Sequence, residues 1–176
     1  LGKLEAKQIV IPEAIAAPSD GDGAITLRDL RISDVSKGVA GRVSLASFGG
    51  DGKDKTGGRV TLKGGAITID KLDAGQMLAA LKSGGSLEGL LKASRLTSDG
   101  VEITAPDKDT PADAPGGNLV RLNLASLNAE QTYEGDTPAR TTVSMNGLTV
   151  QLPKASKAGA TLAAEGYERV ETNWRF

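Results

Sequence analysis

Apolar and polar residues alternate along most of this chain, at the period of a β-strand with one buried face. Val43 and Leu45 alternate with Arg42 and Ser44, and Val60 and Leu62 with Arg59, Thr61 and Lys63. The same pattern returns at Val101 and Ile103, at Val120, Leu122 and Leu124, and at Leu148, Val150 and Leu152. Such alternation predicts an antiparallel sheet with one face packed and the other solvated, because a parallel sheet covered on both faces reads as unbroken apolar runs. Two stretches switch to helical period. Over 74–93 the apolar set is Met77, Leu78, Leu81, Leu87, Leu90 and Leu91, with Asp73 and Gln76 at capping-box spacing and Gly84-Gly85 as a break. Over 156–165 Ser156 is the N-cap and Gly166 the stop. The fold class predicted is α+β: an antiparallel β-sheet in two pseudo-repeated lobes, with two helical segments packed on one face. Leu78, Leu81, Leu90 and Leu91 would be buried beneath that layer.

Short segments recur. Asp99-Gly-Val-Glu-Ile-Thr-Ala-Pro106 resembles Asn146-Gly-Leu-Thr-Val-Gln-Leu-Pro153, and Gly23-Ala-Ile-Thr-Leu27 matches Gly65-Ala-Ile-Thr-Ile69. Ile9-Val-Ile-Pro12 also closes on proline, which suits a strand end because its missing N–H costs no ladder bond there. The order of elements predicts a first β-rich lobe over 1–106 with the helix 74–93, and a second, shorter lobe over 95–176 with the helix 156–165. The two are overlapping pseudo-repeats within one compact unit. Gly49–Gly58 reads as a flexible hairpin connection and Pro106–Gly117 as a surface loop.

Composition narrows the chemistry. The 176 residues are 39% hydrophobic but only 3% aromatic, so the core must be aliphatic. Net charge is −1, which lacks the basic excess that phosphate neutralisation demands, so no nucleic acid is expected as partner. There is no cysteine and no histidine, which removes disulfides, thiolate nucleophiles, Cys/His zinc sites and every His-based triad. No apolar run reaches the roughly 20 residues that span a bilayer. The chain reads as a soluble, strand-rich domain that meets a membrane only through an anchor absent from this chain.

Each candidate site falls short of its chemistry. The stretch Gly49-Gly-Asp-Gly-Lys-Asp-Lys-Thr-Gly-Gly58 invites comparison with a phosphate loop, but Gly52-Lys53 is followed by Asp54, and a strand rather than a helix comes next. Asp20-Gly-Asp22 starts like a calcium loop, yet its fifth and twelfth positions are Ala24 and Arg31. Asp107, Asp109 and Asp113 form a second acidic group without a ligand framework. Glu102, Glu130, Glu134, Glu168 and Glu171 are available as paired carboxylates but lie on polar strand faces. Val170, Trp174 and Phe176 read as a core-facing terminal strand, with Tyr167 before it. No catalytic, cofactor-binding or metal-binding residue is assigned, and no cofactor is expected.

The strands of the type Gly-Ala-Ile-Thr-Leu and Asn-Gly-Leu-Thr-Val-Gln-Leu-Pro, with an Ala-rich helix before Gly166-Tyr167-Glu168-Arg169-Val170, resemble the repetitive β-rich regions of AsmA-like bacterial envelope proteins. The resemblance implies a periplasmic location and a role in envelope or lipid homeostasis, on a scaffold that carries no functional residue to transfer. The function expected is a non-enzymatic envelope scaffold or binding module holding a lipid or acyl chain in an aliphatic groove, with a lipid or an envelope protein as partner. The alternatives are a carboxylate-dependent hydrolase of the cell envelope and a purely structural repeat from a longer protein.

Overall fold

The computed structural model describes residues 5–17, 22–54, 56–73, 94–134 and 137–175. In chain order the elements are β1 (Ala6–Ala16), β2 (Gly23–Ser36), β3 (Val39–Leu45), β4 (Ser47–Lys53), β5 (Arg59–Gly64), β6 (Ile67–Asp73), β7 (Arg95–Pro106), β8 (Leu119–Glu134), β9 (Thr137–Gln151), α1 (Lys157–Ala164) and β10 (Val170–Arg175). All the strands belong to one sheet and every pairing is antiparallel. β3 and β4 pair successive halves of β2, and β5 and β6 pair successive halves of β7. Each of these two pairs therefore runs as one interrupted line. The sheet is a meander in which each line lies beside its neighbour in sequence, from β1 at one edge to β10 at the other.

Residues paired across antiparallel strands share a face. One row runs Ala16, Ile25, Gly50, Leu62, Ile103, Leu122, Val150, Val170. Farther along the strands another runs Ile9, Ile32, Val43, Ile69, Leu96, Ala129, Val143. The opposite face is mostly polar, with Val10 and Ile15 of the edge strand β1 among its apolar members. Thr26, Gly49, Lys63, Glu102, Asn123, Thr149 and Glu171 form one of its rows. Gln8, Ser33, Arg42, Asp70, Arg95, Glu130 and Thr142 form another. In the latter, charge alternates from strand to strand: Arg42 Nε donates to Asp70 Oδ1 at 2.7 Å, and Arg95 approaches Glu130 at 3.5 Å.

The alternation is not continuous along a strand. In β2 the apolar positions are Ile25 and Leu27, then Leu30 and Ile32, then Val35, so a step of three interrupts the steps of two. A step of three in a regular strand would send the two sets to opposite faces. The backbone leaves the extended conformation where it happens: Asp29 has φ 53° and Asp34 φ 54°. The step from Ile69 to Leu72 crosses Lys71 at φ 58°, that from Ser98 to Val101 crosses Gly100 at φ 70°, and that from Met145 to Leu148 crosses Gly147 at φ 62°. A left-handed residue acts here as it does in a bulge, re-aiming the strand so that the apolar set stays on one side. The breaks align across the sheet. Asp99, Ser126 and Asn146 share a row, and Gly100 and Gly147 follow it directly. This is why Asp99-Gly-Val-Glu-Ile resembles Asn146-Gly-Leu-Thr-Val: both cross the same line of the sheet.

Strand takes up 70% of the described residues and helix 6%. The α+β expectation, with two helical segments packed on one face, is corrected by this finding. The helix segment 74–93, with Leu78, Leu81, Leu90 and Leu91, lies outside the described residues. The second helix forms where the capping signals place it. Ser156 Oγ accepts from Gly159 N at 2.9 Å and donates to the Pro153 carbonyl at 2.8 Å. At the other end Gly166 has φ 83°, its N–H bonds the Ala163 carbonyl, and the Tyr167 N–H bonds that of Leu162, which is a Schellman closure. Eight residues cannot layer a sheet of this width, and α1 instead folds back on the end of β9 through Pro153.

The core is correspondingly thin. Among the described residues the buried apolar side chains are Val35, Ala40, Leu45 and Leu72. Val35, Ala40 and Leu72 are consecutive cross-strand partners. Gly49–Gly58 is also corrected: β4 continues through Lys53, and the turn occupies only the residues after it.

The left-handed positions give a direct test. Gly147→Ala places a Cβ in the left-handed region and 2.8 Å from the Ala125 Cβ, and should lower stability by about 1–2 kcal/mol in urea denaturation. Asp29→Gly, which relieves the same conformation, should not destabilise. A neutral Gly147→Ala would mean that the break line tolerates an extended residue.

Candidate functional site

The apolar face is hollowed where β4 lacks side chains. Gly50 is paired with Ile25 on β2 and Leu62 on β5, and Gly52 with Gly23 and Val60. These glycines answer to close backbone approach. A Cβ on Gly50 would strike the Ala24 carbonyl, and one on Gly23, at φ 128°, the Asp51 carbonyl. The result is a cleft of about 480 Å³ with Ala16, Ala17, Ile25, Val60 and Leu62 along its walls. One row farther along, Phe48 lies over its partner Gly64, its ring occupying the place of the missing Cβ.

At the same strand ends, the polar face carries an ionic cleft of about 380 Å³ lined by Asp22, Asp51, Lys53 and Arg59. By register Asp51, Lys53 and Arg59 point to the side opposite Gly50, Gly52 and Leu62. Lys53 Nζ lies 2.9 Å from Asp22 Oδ1, and Arg59 Nη2 lies 3.1 Å from Asp51 Oδ2. Lys53 and Arg59 are themselves cross-strand partners, a like-charge opposition that is unfavourable unless each cation has an anion beside it.

The hairpin turn beyond Lys53 accounts for the remaining motif residues. Asp54 Oδ1 accepts from the Thr56 hydroxyl at 2.6 Å, from Thr56 N at 2.8 Å and from Gly58 N at 2.8 Å. The Thr56 hydroxyl, then the Gly58 and Thr56 amides, hold this carboxyl below the usual carboxylate range. The side chain that a phosphate loop would leave out thus occupies the amides that such a loop would offer. Lys55 lies outside the described residues.

The other sequence candidates are dispersed. Asp20 lies outside the described residues, and Asp22 is at the cleft rim. Asp107 organises its own turn, accepting from the Thr110 hydroxyl at 2.6 Å and from Asp109 N at 3.3 Å. Among the described residues no three acidic side chains gather where they would hold a metal. Glu102 stands opposite Lys63 and Asn123, Glu130 faces Arg95, and Glu134 ends β8. Glu168 is 3.9 Å from Lys154, and Glu171 is 3.9 Å from Arg169. No two of these five carboxylates face each other as register partners across a strand pair. Val170 and Trp174 stand in apolar rows, opposite Val150 and Met145, but at the sheet edge each is 48% exposed, so the expectation of a buried closing strand does not hold for them. Phe176 lies outside the described residues. Sequence reading missed Gly50, Gly52, Ile25 and Leu62. The available signal was glycine at alternate positions of β4 between two apolar strands.

No protein-family model, curated protein or solved structure matches the chain. Among the described residues no helix is long and apolar enough to cross a membrane.

Removal of the Asp54 carboxylate should carry a pH signature. Because its folded titration is depressed, the stabilisation it contributes is complete above the ordinary carboxylate range and is lost as pH falls through the folded value. Asp54→Ala should therefore have a lower urea midpoint than wild type at pH 7, and the two should converge as the solution is acidified. A difference that persists unchanged at acid pH would assign the effect to something other than the charge.

Proposed function

We propose that this chain is a non-enzymatic binding module of the bacterial envelope that holds a lipid acyl chain along its apolar sheet face. The observation that carries the reading is the set of apolar rows that cross the sheet from β1 to β10, with the cleft at Gly50 open to the exterior and Ile25 45% exposed beside it. Among the described residues no element layers this face, and an apolar surface of this extent commonly marks a binding site.

The dimensions suit an acyl chain. The row from Ala16 to Val170 crosses seven interstrand gaps of about 4.8 Å, or about 34 Å along the sheet. One leaflet of a bilayer contributes about 15 Å of hydrocarbon, so an acyl chain lying across the strands fits within the row. Apart from Asp22 and Asp51 the cleft is lined by aliphatic residues and glycine and holds no ring, which favours a flexible hydrocarbon over a flat aromatic ligand. The likeness of the strands to AsmA-like envelope proteins supports the same assignment and a periplasmic location.

Mass spectrometry of gently purified protein should find co-purified lipid. Leu62→Asp together with Ile103→Asp should abolish it while far-ultraviolet circular dichroism stays strand-like, since each new charge would lie in the apolar row. Wild-type protein that carries no lipid and fails to take up a fluorescent fatty acid would leave only a structural role for the face.

A further inference from the structure

We infer that the polar face of the sheet carries a phosphate-binding hollow centred on Gly49, and that its ligand is a soluble phosphate ester of a polyol. The hollow lies on the side of β4 opposite the aliphatic cleft, and the inference is independent of the acyl-binding reading.

Gly49 is the residue that points to it. Backbone contacts hold Gly50 and Gly23 to glycine, but a Cβ on Gly49 would meet only the Leu62 carbonyl at 3.5 Å, and Gly49 is not left-handed. Packing and backbone conformation would both accept a side chain there, and a β-branched one would suit the strand better. What the glycine leaves is a hollow of about 540 Å³. Thr26 and Lys63 stand beside Gly49 on the neighbouring strands. Ser47 and Asp51 are the next positions along β4 on the same face, with Arg28 opposite Ser47 and Thr61 opposite Asp51. The two halves of the hollow differ in chemistry. On one, Lys63 and Arg28 bring cations to the Thr26 and Ser47 hydroxyls. Strand spacing and rise put their backbones about 12 Å apart, a gap that two long side chains can close onto one phosphate. Arg28 lies 3.5 Å from Glu13 in an exposed pair that contributes little stability, so changing partner costs little. Lys63, with Glu102 on its far side, makes no ion pair among the described residues. On the other half, Arg59 neutralises Asp51 at 3.1 Å. The Asp51 carboxylate and the Thr61 hydroxyl can accept from ligand hydroxyls, whereas a second phosphate would face the carboxylate. The excess of cations selects an anion, and the hydroxyls and carboxylate beside them select a polyol attached to it.

Calorimetric titration with glucose 6-phosphate, inorganic phosphate and glucose tests the site without any acyl chain. Wild type should bind glucose 6-phosphate roughly tenfold more tightly than inorganic phosphate, and glucose more weakly than either. Arg28→Gln/Lys63→Gln should weaken glucose 6-phosphate binding by roughly tenfold or more. The charge-matched Lys154→Gln/Lys157→Gln, at the start of α1, should bind as wild type does. Gly49→Thr should fill the hollow: its urea midpoint should equal or exceed that of wild type while glucose 6-phosphate binding is lost. The double variant decides where Gly49→Thr alters folding. Undiminished binding in Arg28→Gln/Lys63→Gln or in a folded Gly49→Thr overturns the site, as does an equal loss in the charge-matched control. Inorganic phosphate that binds as tightly as the ester overturns the assignment to a polyol ester. Binding of none of the three overturns the inference whole and leaves the acyl-binding reading untouched.

Discussion

A slip of one residue between any two strands of this sheet would carry a whole apolar set to the solvated side. Register is therefore the constraint on which the rest of the structure depends, and there is little packed core to enforce it. The polar face supplies the substitute. Arg42, Asp70, Arg95 and Glu130 face one another on successive lines with alternating sign, so a slip would break the bonded pairs. Individually such exposed pairs are weak. Their value lies in discrimination between registers, because the same charges that attract in the observed alignment lose their partners in the neighbouring one.

The second requirement is that long strands keep one apolar face while bending. β8 and β9 are longer than most strands, and a flat sheet of that length would be a poor scaffold for a trough. The breaks in alternation meet this need. Steps of two and three follow each other in β2, and left-handed residues stand at the breaks in β2, β6, β7 and β9. The residue types fit the conformation at most of these places: Asp29, Asp34, Gly100 and Gly147 tolerate the left-handed region, and Lys71 is the one that does so against its preference. The trough and the phase breaks are thus two aspects of one sheet geometry.

Strand content, antiparallel pairing and the caps of α1 were legible in the sequence because each rests on local chemistry. Alternation at Val120, Leu122 and Leu124 reports a half-buried strand whatever lies beside it, and Ser156 and Gly166 mark helix ends by their own hydrogen-bonding and conformational preferences. The layer architecture was not legible. Apolar stripes suggest a covering layer of helices, whereas the described residues hold one short helix and no element layered on the sheet. The step of three between Leu27 and Leu30 was also visible, but it reads as a strand boundary unless the register of the neighbours is known. The glycines of β4 were read as loop for a similar reason. A Gly-rich segment disfavours strand by propensity, and only the approach of the Ala24 carbonyl to Gly50 explains why no other residue serves there.

That last point bears on how the cleft arises. Glycine weakens a strand through the backbone freedom it forfeits and the side-chain packing it lacks. Gly49, Gly50 and Gly52 concentrate this cost in one short strand, between two that are rich in Ile, Val and Leu. Gly49 belongs to the polar row, and a Cβ there would meet only the Leu62 carbonyl at 3.5 Å, an ordinary contact. Gly50 belongs to the apolar row, where a Cβ would not fit. The close approach of β2 and β4 thus excludes side chains from the middle of the apolar face while Ile25 and Leu62 remain on either side. Backbone packing and the hollow of the cleft have one cause, so the trough needs no separate element to shape it.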